Sequence, residues 1–137
     1  MEKYTIKQMS EMFHLTSATL RYYEDMGLLS NVSRNASGHR IYNNSHINRL
    51  KTINCFKSTG MTISQLQKLF SYENDPQNHI DDILFLLETQ KNIVSEQLLE
   101  VQKAYEQVAD KILYFQNIKK IIENKHNNPN SNNCENA

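Results

Sequence analysis

Hydrophobic residues recur at helical intervals in two short segments at the start of the chain. The first segment begins with the capping box Thr5-x-x-Gln8, which predicts a helix to about Phe13. The second begins at Thr16, a favoured N-cap residue type, and ends at Gly27, the residue type that most often supplies a left-handed helix end. Because only a tight turn separates the two segments, the pattern predicts a helix-turn-helix.

After Gly27 the pattern changes from helical to alternating. Residues 28–32 and 39–42 alternate as short strands do, and the polar segment 33–38 between them predicts a turn. Two short strands are not stable by themselves. We therefore expect them to pack against the helices as a wing.

Two further helices complete a head that we predict to span residues 1–72. The third helix covers 43–59, where apolar residues recur at intervals of three, and Gly60 predicts its end. The fourth begins with a second capping box, Thr62-x-x-Gln65. A polar segment follows the head and predicts a break in the helical structure.

A strict heptad pattern runs from Ile80 to Ile122. Alternating steps of four and three residues meet an apolar side chain at eleven of thirteen positions. Six uninterrupted heptads require a partner helix, which we expect a second copy of the chain to supply. The pattern predicts a mainly α fold, with a winged helix-turn-helix head and a dimerisation helix over 79–124. Residues 125–137 have almost no apolar side chain to bury and predict a disordered tail.

The second predicted helix has two different faces. Leu20 and Tyr23 lie on one face, whereas Ala18, Arg21 and Tyr22 lie on the opposite one. A guanidinium can bind a guanine edge or a phosphate, a phenol can bind a phosphate, and a methyl group can contact thymine. The outward face therefore suits a DNA groove. The alternative is a solvated face with a second, buried tyrosine.

The predicted wing adds basic side chains. Arg34 lies in its turn, and His39 and Arg40 begin its second strand. An arm that carries these side chains can hold phosphates or enter a minor groove. The alternative is an ordinary hairpin with solvated charges.

The zero net charge conceals a basic head and an acidic remainder. Residues 1–72 hold nine Lys or Arg against four Asp or Glu, a charge of +5, whereas 73–137 hold six against eleven, a charge of −5. This asymmetry suits a head that meets a polyanion. No stretch is long and apolar enough to span a membrane, so we expect a cytoplasmic protein without a membrane partner.

Patterns that support catalysis are missing from the sequence. It has no Gly-rich phosphate loop, no paired carboxylates in an apolar pattern, and no His and Cys spaced for nucleophilic work. Its two cysteines, Cys55 and Cys134, are too few for a disulfide framework and form no CxxC pair. We expect neither an enzyme nor a cofactor.

Four motifs occur in order along the head. They are Tyr4-Thr5-Ile6, Thr19-Leu20-Arg21-Tyr22-Tyr23-Glu24 with Gly27-Leu28-Leu29, Ser37-Gly38-His39-Arg40-Ile41-Tyr42, and Gly60-Met61-Thr62-Ile63. Together they resemble the MerR family of bacterial transcription regulators. The resemblance covers residues 1 to about 72 by motif and the heptad helix by architecture only.

The resemblance implies a winged-helix head and a dimer held by an antiparallel coiled coil. Such regulators bind an overlong promoter spacer and, when signalled, distort the DNA so that RNA polymerase can use both promoter elements. The mechanism depends on DNA deformation as much as on base contacts. An alternative from another class is an excisionase-like architectural factor, which shares the winged head and bends DNA without a sensed signal. The long dimerisation helix favours the regulator.

The residues and the resemblance together predict three partners: double-stranded DNA, a second copy of the chain, and RNA polymerase. The resemblance places Lys57 near a second wing, formed by the third and fourth helices. The complete set of candidate DNA-binding residues is Thr16, Ser17, Ala18, Arg21, Tyr22, Tyr23, Arg34, Gly38, His39, Arg40 and Lys57.

The sequence differs from well-known branches of the family in the residues that would sense the signal. Metal-sensing members carry paired cysteines after the dimer helix, whereas this sequence has only Cys134 there, so we predict no metal site. Cys55 is similar to a cysteine of a subgroup that responds to aldehydes or other thiol-reactive electrophiles. Lys51 and Lys57 nearby can favour its reactive thiolate. The alternative is a small buried residue without a role in sensing.

Overall fold

The computed structural model describes residues 2–127 of the chain. The chain divides into two compact units, and the boundary lies between Ile93 and Val94. The mainly helical fold, with a helix-turn-helix, a wing and a long C-terminal helix, confirms the predicted fold class. Its elements are β1 (Tyr4–Thr5), α1 (Ile6–Phe13), α2 (Ser17–Asp25), β2 (Ser33–Arg34), β3 (Arg40–Tyr42), α3 (Asn44–Ser58), α4 (Ile63–Glu73) and α5 (Pro76–Asn127).

Both predicted capping boxes are present. At α1, the Thr5 hydroxyl accepts the Gln8 N–H at 3.1 Å, and the Gln8 side chain accepts the Thr5 N–H at 2.8 Å. At α4, Thr62 and Gln65 exchange the same two bonds at 3.1 and 2.9 Å. These bonds fix where each helix begins because they satisfy backbone donors that have no partner inside the helix.

A third capping box, at the start of α3, uses a histidine. His46 is buried, and its Nδ1 accepts the Asn43 N–H at 3.0 Å while its Nε2 lies 2.8 Å from the Ser30 carbonyl oxygen. Since Nδ1 accepts a hydrogen bond, the ring proton is on Nε2, which donates to Ser30. One neutral imidazole therefore caps α3 and ties it to the loop after α2.

The core of the head lies between the four short helices. Its members come from α1, α2, α3, α4, β3 and the segments that follow α2 and α3, so burial of this cluster holds all these elements together. The buried apolar residues are Met9, Leu20, Tyr23, Leu28, Leu29, Tyr42, Leu50, Ile53, Met61, Leu66, Leu69 and Phe70.

The wing differs from the prediction, because residues 28–32 are not its first strand. Leu28 and Leu29 are each only 2% exposed and belong to the core. Their N–H groups donate to the Tyr23 carbonyl oxygen at 2.8 and 3.3 Å, after a left-handed turn at Gly27 with φ of 77°. Bonds that close the end of α2 thus use the donors that a strand would need.

The sheet contains a strand that the sequence did not indicate. β3 pairs antiparallel with β2 on one side, where Ser33 lies opposite Ile41, and with β1 on the other, where Tyr4 lies opposite Tyr42. The strand order is β1-β3-β2. Because β1 has only two residues, it has no alternation for a sequence pattern to reveal. Its pairing fastens the wing to the start of α1.

Helix α5 begins at Pro76, earlier than the predicted start at residue 79. Proline suits the first turn of a helix because the N–H that it lacks has no helical partner there. His79 interrupts the helix with φ of −132° and ψ of 17°, so the helix that follows starts where the heptads start. At the other end α5 includes residues 125–127, which corrects the predicted tail. The rest of that tail lies outside the described residues.

The apolar seam of α5 is used in part within the head. Ile83 and Leu86 pack against the core, whereas Phe115 is 58% exposed. Further along, Leu98 and Tyr105 are each 68% exposed. The heptad positions from Leu98 onward are therefore uncovered in a single chain. No helix within residues 2–127 is long and apolar enough to cross a membrane.

We expect His46→Ala to lower the free energy of unfolding by about 2–4 kcal/mol, because two partly buried hydrogen bonds are lost and the buried imidazole leaves a cavity. His46→Gln is the matched control, since glutamine at this position can keep the capping box but not the bond to Ser30, and it should lose roughly half as much. Urea unfolding followed by circular dichroism at one protein concentration measures both. An alanine variant as stable as the parent would contradict the role of His46.

Candidate nucleic-acid interface

The two faces of α2 are arranged as the sequence predicted. Leu20 is fully buried, and on the opposite side Ala18, Arg21 and Tyr22 are exposed. The hydroxyl of Thr16 accepts the Thr19 N–H at 3.1 Å and fixes the start of the helix. The exposed face thus carries a methyl group, a guanidinium and a phenol on a helix that its buried side holds in place.

Tyr23 is not on the exposed face, and its assignment as a DNA-binding residue is wrong. Its side chain is only 2% exposed, and its hydroxyl accepts a hydrogen bond from the Lys57 ammonium at 3.1 Å. The Lys57 Nζ also lies 5.4 Å from the centre of the Tyr23 ring, within reach of a cation–π interaction. Lys57 therefore supports α2 from its buried side. A phosphate contact by Lys57 stays a prediction.

The turn of the wing is held by its own hydrogen bonds. The Asn35 side-chain oxygen accepts the N–H groups of Ser37 and His39 at 3.0 and 2.9 Å. Arg34 donates to the Gly38 carbonyl at 3.0 Å, and Gly38 adopts a left-handed φ of 81°. These bonds order the turn that carries Arg34 and His39.

Arg40 joins the wing to α2. Its Nε donates to the Glu24 carboxylate at 2.5 Å, and both side chains are about four-fifths buried, with exposed fractions of 20% and 23%. The hydrogen bond to Glu24 raises the pKa of Arg40 above its ordinary value. Sequence analysis assigned Arg40 to DNA and did not identify Glu24. The sequence gives no periodic signal for a pair that lies on two different elements.

Tyr42 lies beneath this junction. Its side chain is fully buried, and within the described residues its hydroxyl has no hydrogen-bond partner. Burial raises the pKa of Tyr42 because the charged phenolate would be poorly solvated there. The ring meets the His46 imidazole edge to face, with 5.6 Å between ring centres. Tyr42 thus acts as a neutral core residue.

The structure brings four of the predicted residues together. Arg21, Gly38, His39 and Arg40 line one cavity of about 420 Å³ between α2 and the wing. Thr16 and half-buried Ser17 begin α2, and Arg34 braces the turn of the wing. The candidate interface is therefore one surface, formed by α2 and the wing.

Cys55 lies apart from this surface, on α3. Its side chain is exposed, so the alternative of a buried residue is wrong, and its carbonyl accepts the Ser58 hydroxyl at 2.6 Å. The ammonium of Lys57, which we expected to favour the Cys55 thiolate, donates a hydrogen bond to the Tyr23 hydroxyl.

Within residues 2–127 no three His, Cys, Asp or Glu side chains are grouped to hold a metal ion.

Comparisons with known proteins agree with this geometry. Residues 4–73 match the family described as MerR HTH family regulatory protein. An HTH-type regulator of Haemophilus influenzae is 28% identical over 116 residues, which cover 85% of this chain and 86% of that protein. The regulator ZntR of Escherichia coli K12 is 31% identical over 99 residues, which cover 72% of this chain and 66% of ZntR.

A solved structure is also similar. HiNmlR, described as a MerR family regulator lacking the sensor domain and bound to promoter DNA, is 27% identical in sequence. The match covers 87% of this chain and 94% of that one, with a TM-score of 0.72.

Tyr23→Phe and Lys57→Met each remove one partner of the hydrogen bond between the Lys57 ammonium and the Tyr23 hydroxyl. We expect each to weaken DNA binding by roughly 1 kcal/mol, with a double variant no weaker than either one, because both remove the same interaction. The slope of log affinity against log salt should stay that of the parent. A phosphate contact by Lys57 would instead lower that slope by about 1 in Lys57→Met alone. Titration of DNA at several salt concentrations distinguishes the two roles.

Proposed function

The chain belongs to the MerR HTH family of regulatory proteins, which are DNA-binding transcription regulators and not enzymes, and we propose that two copies of it bind a pseudo-palindromic promoter spacer and distort it in response to a signal. The observation that carries this proposal is the exposed face of α2, set beside a wing that Arg40 and Glu24 hold against it. The promoter complex of HiNmlR supports it.

In this proposal α2 enters the major groove. Arg21 reads a guanine edge or binds a phosphate, Tyr22 binds a phosphate, and the Ala18 methyl group contacts thymine. In the wing, Arg34 and His39 contact the adjoining sugar-phosphate backbone of the DNA. Because α2 and the wing are joined at Glu24 and Arg40, the two elements would keep a fixed spacing on the duplex.

The second copy covers the seam of α5. Apolar side chains at successive heptad positions of the second unit are more than half exposed in one chain, among them Leu98, Val101, Tyr105 and Val108. A partner helix that removes them from water gains roughly 25 cal/mol per Å² of apolar surface. An antiparallel pairing of two α5 helices places one head at each end. We expect half-sites about 34–36 Å apart or at multiples of that distance.

DNA binding and dimerisation are assigned to different parts of the chain, as the sequence predicts. Residues 1–72 bind DNA and residues 79–124 form the dimer, although the first turns of α5 also pack on the core of the head through Ile83, Leu86 and Leu87. The regulator acts in the cytoplasm, where it presents distorted promoter DNA to RNA polymerase. An architectural factor that only bends DNA would not need the long seam on α5.

Cys55 is the proposed point of signal input. Its exposed side chain lies on the last turns of α3, two residues before Lys57, whose ammonium bonds Tyr23 on the buried side of α2. A group added to the sulfur would displace this end of α3 and, through Lys57, the recognition helix. A thiol-reactive electrophile such as an aldehyde fits this position because it needs only an accessible thiolate.

We expect Arg21→Ala to weaken binding to promoter DNA by about 1–3 kcal/mol per half-site, because a guanidinium contact is lost. Footprinting and titration on the DNA upstream of the gene measure the loss, and sedimentation checks that the variant remains a dimer. Lys103→Ala, which removes an exposed charge from the second unit, is the control and should bind as the parent does. Parental affinity in Arg21→Ala would place the recognition surface elsewhere.

Cys55→Ser should fold, form dimers and bind DNA as the parent does, but it should no longer change DNA distortion when a small aldehyde is added. Cys134→Ser is the matched control and should respond fully. Circularly permuted promoter fragments report the bend with and without the aldehyde. A Cys55→Ser variant that responds as the parent does would exclude Cys55 as the sensor and leave DNA recognition untouched.

A further inference from the structure

A cavity of about 420 Å³ opens between three elements of the head. The first turn of α1 contributes Lys7, α2 contributes Arg21, and the wing contributes His39 and Arg40. Lys7 is exposed and was not among the residues that the sequence indicated. It joins the predicted DNA surface only because β1 pairs with β3 and so brings the start of α1 beside the wing.

The cavity carries an excess of positive charge. All its lining residues are basic or uncharged, and Lys7, Arg21 and Arg40 are its permanent cations. The nearby carboxylate of Glu24 is already bonded to Arg40. Within residues 2–127 neither Lys7 nor Arg21 has a carboxylate within ion-pair distance. Two cations that no carboxylate neutralises favour an anionic ligand.

The walls of the cavity are fixed before any ligand arrives. Thr5 and Ile41 lie opposite each other in the β1–β3 pair, and the bonds of Asn35 order the turn of the wing. Half-buried Ile6 and Ile41 supply an apolar part of the lining. A ligand with a charged group and an adjoining apolar face fits such a site, and little ordering entropy is lost when it binds.

We propose that this cavity holds a phosphate of the DNA backbone with its adjoining deoxyribose, and that Lys7 is the phosphate ligand. The inference rests on the proposed function and adds to it a contact from α1. The sugar lies against Ile6 and Ile41, while the phosphate lies between Lys7 and Arg21. A lysine ammonium is a point charge without a directional fork, so Lys7 adds affinity and not base preference.

Lys7→Gln tests the inference, because it keeps a polar side chain that is one atom shorter and removes its charge. Lys103→Gln removes the same charge from the second unit, and Lys7→Arg keeps the charge in place. DNA binding is titrated from 50 to 200 mM salt on the promoter fragment and on an unrelated duplex. Circular dichroism confirms that all variants are folded.

We expect Lys7→Gln to bind both duplexes roughly tenfold more weakly at the lower salt concentration. Its slope of log affinity against log salt should fall by about 0.9 for each protomer. Lys103→Gln and Lys7→Arg should behave as the parent. A slope in Lys7→Gln equal to that of the parent would overturn the inference. A loss of affinity for the promoter fragment alone would also overturn it. In both cases DNA binding by the parent still supports the proposed function. A parent that binds neither duplex overturns the proposed function itself.

Discussion

The position of the recognition helix depends on the burial of one of its sides. Leu20 and Tyr23 are enclosed in the core of the head, so the residues on the opposite side must face solvent. The bond from Lys57 to the Tyr23 hydroxyl resists rotation of the helix about its axis, because that rotation would pull the hydroxyl away from its donor. The face of α2 that we propose binds DNA is thus positioned by contacts within the head.

The same dependence extends to the wing. A short hairpin would sample many positions by itself. Here β1 pairs with β3, and Arg40 of β3 bonds Glu24 of α2. The recognition helix and the wing are therefore joined in one surface, and a surface that binds the backbone at separated points can bend or untwist the duplex between them.

The long helix has two roles along its length. Its first turns complete the core of the head, and Gln90 donates to the Thr59 carbonyl at 3.1 Å, next to the end of α3. Its later heptads carry an uncovered apolar seam, which we propose a second copy covers. Because α3 carries both Cys55 and Lys57, a change at its C-terminal end would act on α2 and on the contact with α5 together. The proposed sensor therefore needs no separate ligand domain.

The sequence by itself determined the features that arise within a few residues of each other. Capping boxes such as Thr5 with Gln8 and the heptad spacing of α5 are local, and each predicted its helix correctly. The tertiary structure alone decided the burial of Leu28 and Leu29, the β1–β3 pair, the bond between Arg40 and Glu24, and the approach of Lys7 to the wing. These contacts join residues that no periodicity relates. They form only when the core fixes where each helix ends and which of its sides is turned inward.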